Sequence, residues 1–253
     1  MVAGAAAPTA RQHDDAVTDV GSLTVVGCSG SIPGPDSACS CYLVELGGYR
    51  LLMDLGTGAI GPLRRHVDAS EVDSVFITHA HGDHCHDLWG LAMLRDKAGR
   101  RDPLVVHGPP GVRDALAENG SGVDDWFTFA GAPEQIGPWR VRTATVRHSV
   151  ENWAVRLDDR VCYTGDTEPC PELDDLAHGC TVLLAEAGGL DGARPRSHLT
   201  AGDAGRLATR AGARLLVLTH LRPGYEAVDV LGEAARAASC PVILAAPGLT
   251  LAV

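Results

Sequence analysis

The chain has 253 residues, 45% hydrophobic and 21% charged, which is an ordinary balance for a globular protein with a sizeable core. Its formal net charge of −11 argues against nucleic acid as the partner, because that recognition leans on Lys and Arg meeting phosphates. No apolar run reaches the ~18 residues of a membrane span.

The first residues, MVAGAAAPTARQHDD, lack the basic start and apolar stretch of a secretion signal, so a cytoplasmic protein is expected. Residues 1–20 read as a flexible tail and residues 21–253 as a single domain. The eight cysteines include no C-x-x-C pair, so reduced thiols are expected rather than disulfides or a cysteine zinc module.

Residues 23–27 (LTVVG) read as a strand entering a Gly/Pro/Ser loop. Residues 41–46 and 50–55 form an expected hairpin turning at Gly47-Gly48. A short helix over 59–67 and a strand over 72–78 follow, the strand ending at His79. Helices are expected over 86–98 and 111–119, with a strand at 104–107 between them. Further strands fall at 126–129, 139–146, 153–157 and 160–164. The last third alternates helix 172–178, strand 181–185, helix 202–211, strand 214–219, helix 226–238 and strand 241–245. Strands VDSVFITH (72–79) and ARLLVLTH (213–220) both end in Thr-His, which hints at internal duplication. This order predicts one α/β domain of two sheets packed face to face with helices outside.

The chemistry concentrates in Thr78-His79-Ala80-His81-Gly82-Asp83-His84, at the end of an apolar strand. Extended backbone sends alternate side chains the same way, so His79 and His81 can converge on one metal ion. Gly82 permits a change of direction, after which Asp83 and His84 can face a second ion. His148, Asp166 and His220 also lie at strand ends or in adjacent loops, and their position beside this motif marks them as further ligands. All these donors are nitrogen or oxygen, which suits two divalent ions, Zn²⁺ above all, with Mn²⁺ or Fe²⁺ as the other candidates.

On this motif the chain resembles the metallo-β-lactamase superfamily. It is more finely similar to the ribonuclease Z-like branch and its small actinobacterial-type cyclic-nucleotide phosphodiesterases. The finer resemblance is carried by GCSGSIPGPDSACSCYLVE (27–45), LLMDLGTGAIGPLRRH (51–66), YTGDTEPCPEL (163–173) and SHLTAGDAGRLA (197–208). It implies an αββα sandwich with the metals at one edge. It also implies His79, His81 and His148 on the first ion, Asp83, His84 and His220 on the second, and Asp166 bridging. Asp83 would orient and deprotonate the bridging water. His198 would assist the scissile phosphate or its leaving group, Asp54 would support the ligands from beneath, and a homodimer is the common assembly.

The function implied is hydrolysis of a small phosphodiester such as a 3′,5′-cyclic nucleotide. Only 17 residues separate His148 from Asp166, too few for the basic arm of a transfer-RNA 3′-processing ribonuclease Z. A lactone, thioester or amide hydrolase on the same fold is the second reading. A non-catalytic metal-binding protein is the third, disfavoured because all seven ligands are present. Cys85 and His86 follow the motif without a ligand role, and His66, His107 and His178 read as structural or solvated. Glu186 reads equally as ligand support or a strand end. The loop 27–37 reads either as a cover over the site or as a tight connection. The stretch 187–196 departs from the family segments and lies where it would shape the substrate pocket.

Overall fold

The computed structural model describes residues 20–120, 122–193 and 195–253. The tail expected over 1–20 lies outside the described residues apart from Val20.

In chain order, β1 (Ser22–Gly27), β2 (Cys41–Leu46) and β3 (Tyr49–Leu55) precede the short helix α1 (Ile60–Leu63). Next come β4 (Ser74–Phe76), the one-turn helix α2 (Gly82–Cys85) and α3 (Leu88–Lys97). Then follow β5 (Leu104–His107), α4 (Gly111–Asn119), α5 (Val123–Trp126) and β6 (Phe127–Ala130). The second half opens with β7 (Gln135–Ile136), β8 (Trp139–Val146), β9 (Asn152–Leu157) and β10 (Val161–Tyr163). It closes with α6 (Pro171–Ala177), β11 (Val182–Glu186), α7 (Ala201–Ala211), β12 (Leu215–Thr219), α8 (Ala227–Ala237), β13 (Val242–Leu244) and β14 (Thr250–Ala252).

These strands make two seven-stranded sheets, ordered β14-β1-β2-β3-β4-β5-β6 and β13-β12-β11-β10-β9-β8-β7. Period-two alternation decides how they pack. From β2, Tyr42 and Val44 enter the core between the sheets, while Cys41 and Leu43 face the helices of the first half. From β12, Val217 points inward, while Leu216 and Leu218 meet the helices of the second half. Three apolar layers result, which is the expected four-layer αββα sandwich with helices outside.

The halves share a plan. In each, three antiparallel strands (β1-β2-β3 and β8-β9-β10) lead into a parallel run (β3 to β6 and β10 to β13). The two Thr-His strand ends do not mark equivalent places in it. One follows β4, the first crossover strand, and the other follows β12, the second.

Some expected boundaries move. The strand over 72–78 is confined to Ser74–Phe76, and the helix over 86–98 starts at Leu88 because the metal motif takes a helical turn of its own. The strands β7 and β14 escape the sequence pattern, being two and three residues long at opposite sheet edges. None of the eight cysteines is paired.

Candidate metal centre

The seven expected ligands arrive at one edge of the sandwich from three kinds of backbone. His79 and His81 lie in the loop leaving β4, and Asp83 and His84 lie in α2. His148 follows β8, Asp166 follows β10, and His220 follows β12. Gly82 serves here by leaving space, since a β-carbon on it would fall 2.2 Å from the His86 ring.

His79 Nε2 lies 3.0 Å from His81 Nδ1, and His148 Nε2 lies 3.2 Å from that same atom. A second group forms around Asp83, His84, Asp166 and His220. Asp166 Oδ2 stands 3.2 Å from His220 Nε2, 3.4 Å from His84 Nε2 and 3.9 Å from His79 Nε2. One carboxylate oxygen therefore touches both groups. A tetrahedral ion with ~2.05 Å bonds holds its ligand atoms about 3.3 Å apart, so both groups have the span of a metal shell.

The residues fit metal ions by a further test. His84 Nε2 and Asp166 Oδ1 are buried, and neither has a hydrogen-bond partner among the described residues. Such orphans are costly unless something else occupies them. The outward ring nitrogens, in contrast, are engaged. His84 Nδ1–H donates to Asp54 Oδ2 at 2.7 Å, and His148 Nδ1–H donates to the Ser197 carbonyl at 2.8 Å. His79 Nδ1 sits 3.0 Å from Thr78 Oγ1. Each contact fixes the tautomer that aims the Nε2 lone pair inward.

The electrostatics agree. Burial drives the His79, His81 and His148 imidazoles below their ordinary range, which keeps them neutral and able to ligate. Burial opposes ionisation of Asp83, yet the His220 hydrogen bond and the His84 charge hold that carboxyl below its usual value. Burial likewise disfavours charge on His84, but Asp166 and Asp54 raise it well above its usual range. The pocket between these carboxylates thus calls for positive charge. Backbone strain frames the same spot: Asp54 at φ 57° and His220 at φ 51° occupy the left-handed region, which costs about 1–3 kcal/mol each.

Asp54 is fully buried and, beyond His84, accepts from the Thr78 N–H at 2.8 Å and the Tyr163 hydroxyl at 2.8 Å. Glu186 is no mere strand end: its Oε2 lies 2.8 Å from His198 Nδ1, and Oε1 accepts the Thr167 N–H. His198 sits just before α7, whose start is fixed by a capping box between Thr200 and Asp203. The 27–37 loop lies against the site, with the Ser31 N–H donating to Asp83 Oδ2 at 2.8 Å. From the 187–196 stretch, Asp191 and Pro195 line a cavity shared with His198.

Cys85 stands apart, its thiol 3.5 Å from the Ala80 carbonyl. His66, His86 and His178 are exposed, and His107 is half-buried with no place in the ligand groups found among the described residues. Sequence reading missed Ser31, Tyr163 and Asn152. The Asn152 side-chain amide is buried and donates to the Asp166 carbonyl, so it shapes the turn that presents the shared carboxylate.

Two face-to-face sheets with a His/Asp cluster at one edge, able to bind metal, define a metallo-hydrolase of the β-lactamase fold. The β-lactamase superfamily domain matches residues 49–221, and the chain belongs to that family. An uncharacterised protein of Mycobacterium leprae is 34% identical over 250 residues, covering 90% of this chain and 87% of its own. A ribonuclease Z of Methanothermobacter thermautotrophicus is 28% identical, covering 85% of this chain and 91% of its own. The crystal structure of the metallo-β-lactamase fold protein YhfI from Bacillus subtilis superposes with a TM-score of 0.85 at 26% identity. That match covers 93% of this chain and all of YhfI.

Proposed function

We propose that the protein is a binuclear metal-dependent phosphodiesterase acting on small phosphodiesters such as 3′,5′-cyclic nucleotides. One observation carries this reading: Asp166 Oδ2 joins the two ligand groups, and the Glu186–His198 pair stands at their border. His198 Nδ1 lies 3.7 Å from that same oxygen.

Two bound divalent ions, Zn²⁺ by the donor set, would supply a water of near-neutral pKa and neutralise phosphoryl charge. His79, His81 and His148 would hold one, Asp83, His84 and His220 the other, with Asp166 shared. Asp83, kept ionised and fixed by Ser31 and His220, accepts the hydrogen bond that orients the attacking water. Burial and the Asp166 charge push the Glu186 carboxyl well up, and burial pushes His198 down. Glu186 and His198 share one proton across the 2.8 Å contact between Oε2 and Nδ1. As the P–O bond breaks, His198 Nε2 gives its own proton to the leaving oxygen while Nδ1 keeps the proton shared with Glu186.

The likeness to a ribonuclease Z at 28% identity supports a phosphoester over a carbonyl substrate. The stretch from His148 to Asp166 is filled by β9, β10 and their tight turn, with no protruding arm for a transfer RNA. A small-molecule substrate follows, and the net charge of −11 favours it as well.

The test is a turnover panel of cyclic AMP, bis-p-nitrophenyl phosphate, a lactone and a thioester on the zinc-loaded protein. Hydrolysis of the phosphodiesters is expected. Hydrolysis of the carbonyl compounds alone would overturn the reading.

A further inference from the structure

A guanidinium drawn partly out of water loses hydration that a partner must replace. The arginines that are not exposed mostly have one. Arg50 pairs with Glu45, Arg95 with Asp102 and Arg156 with Asp159, while Arg160 donates to the Val253 carbonyl. Arg222 differs. It is half-buried, and among the described residues its guanidinium has no ion-pair or hydrogen-bond partner. Carboxylates are plentiful in this chain, with 32 Asp and Glu against 21 Lys and Arg, yet this cation is kept clear of them.

Backbone contacts fix its place. Arg222 follows His220 with Leu221 between them. The Leu221 N–H donates to the Cys28 carbonyl at 2.9 Å, and its carbonyl accepts the Gly30 N–H at 3.1 Å. The segment is thereby tied to the 27–37 loop, whose Ser31 N–H binds Asp83. Further on, Tyr225 touches the stretch that leads to His198. A β-carbon on Gly189 would lie 3.1 Å from the Tyr225 hydroxyl and 3.2 Å from Pro195. Residues 221–225 thus bridge the 27–37 loop and the approach to His198, and this bridge carries Arg222.

The Arg222 charge is felt at His198, whose ring stacks on His220 with centroids 5.4 Å apart. Burial is the main force holding the His198 imidazole below its ordinary range. Asp166 opposes it, and Arg222 adds to it with more effect than His84. Arg206, on the wall of the cavity that includes His198, is committed instead to Asp191 at 2.9 Å and Asp203 at 2.7 Å. A guanidinium presents a planar fork of donors that matches two oxygens of a phosphate, and such charged bonds exceed those to a neutral carbonyl.

We propose that Arg222 is the anion clamp of the site, its guanidinium taking non-bridging oxygens of the substrate's phosphoryl group. The proposal rests on the phosphodiesterase reading, and it adds the residue that tells a charged phosphoester from a neutral carbonyl ester.

Calorimetric titration of the zinc-loaded protein with inorganic phosphate tests it without turnover. Arg222→Gln should keep its zinc and bind phosphate at least about tenfold more weakly, the usual cost of losing a hydrogen bond to a charged group. Arg236→Gln removes the same charge from the exposed last turn of α8 and should change phosphate affinity by less than about twofold. With cyclic AMP, Arg222→Gln should raise KM by about tenfold and leave kcat within about threefold, the mark of a contact made equally in ground and transition states. A residue that only props His198 or the loops would lower kcat instead. In the unmodified protein, saturating phosphate should shield Arg222 from an arginine-specific dicarbonyl, read by peptide mass spectrometry, which decides even where the variant fails to fold. Unchanged phosphate affinity in Arg222→Gln, loss of its zinc, a fall in kcat with KM intact, or absence of shielding would overturn the proposal. A protein that hydrolyses no phosphodiester yet loses phosphate affinity with Arg222 would sink the phosphodiesterase reading and leave the clamp standing. One that hydrolyses phosphodiesters at an unchanged KM in Arg222→Gln would do the reverse.

Discussion

Asp54 and His84 meet at 2.7 Å beneath the candidate metal centre, with both side chains fully buried. The carboxylate takes the Nδ1 proton and so directs the His84 Nε2 lone pair toward Asp83 and Asp166. Asp54→Asn keeps the shape and tolerates the left-handed backbone but removes the anion. Zinc affinity should fall by about 10–100-fold in a competitive chelator titration, the usual cost of losing such a partner. Unchanged affinity would show that Asp54 serves packing alone.

His198 should act on the leaving group and not on metal retention. His198→Ala is expected to keep its zinc and to lower turnover of cyclic AMP by ~10²-fold. Bis-p-nitrophenyl phosphate, whose leaving group departs readily without a proton, should lose far less. Equal losses on the two substrates would mean that His198 supports the site in another way. Glu186→Gln should reproduce the same split at smaller size, because its carboxyl partners His198 Nδ1 while Nε2 gives up its proton.

The loop that carries the motif leans on Gly56. A β-carbon there would lie 1.8 Å from the Asp83 carbonyl oxygen, with backbone rather than a yielding side chain in the way. Gly56→Ala should therefore displace Asp83 and depress both zinc binding and turnover. Gly61, in helix α1, has open space around its would-be β-carbon. Gly61→Ala should leave turnover unchanged and raise the melting temperature slightly, since Ala is favoured over Gly in a helix by ~1 kcal/mol. Chelator titration, a standard assay and thermal melts of the two variants check the contrast.

Much of this site was legible because its ligands sit where strands end, and strand ends are what alternation and Gly/Pro punctuation reveal. His79, His81, His148, Asp166 and His220 follow from that rule. Asp54 and Glu186 were visible as acids closing apolar strands, but the partner of Glu186 was not, since 12 residues and a loop separate it from His198. Ser31, Tyr163 and Asn152 left no mark because their roles depend on contacts across 52, 109 and 14 residues of chain. The edge strand β14 pairs with β1 at the far end of the chain, and three residues cannot show a period. The matching Thr-His ends drew attention to the plan the two halves share, from strands that are one place out of step.

The thiols offer a check on the core. Burial lifts Cys39 and Cys85 to about 12 and Cys180 to about 11. At pH 8 almost none of these is thiolate in the folded protein, while unfolding returns them near 9. A disulfide exchange reagent at pH 8 should react slowly with the native protein and with all eight cysteines in guanidinium. Rapid native reaction of Cys39 or Cys85 would contradict the packing around the metal loop.

The proposed centre would hold two ions on seven side chains through one shared carboxylate. Its most direct test is elemental analysis of the zinc-reconstituted protein beside Asp166→Ala. The arrangement predicts two zinc ions per chain in the unmodified protein and at most one held tightly in the variant. A protein that retains no zinc, or a variant that retains as much as its parent, would contradict it.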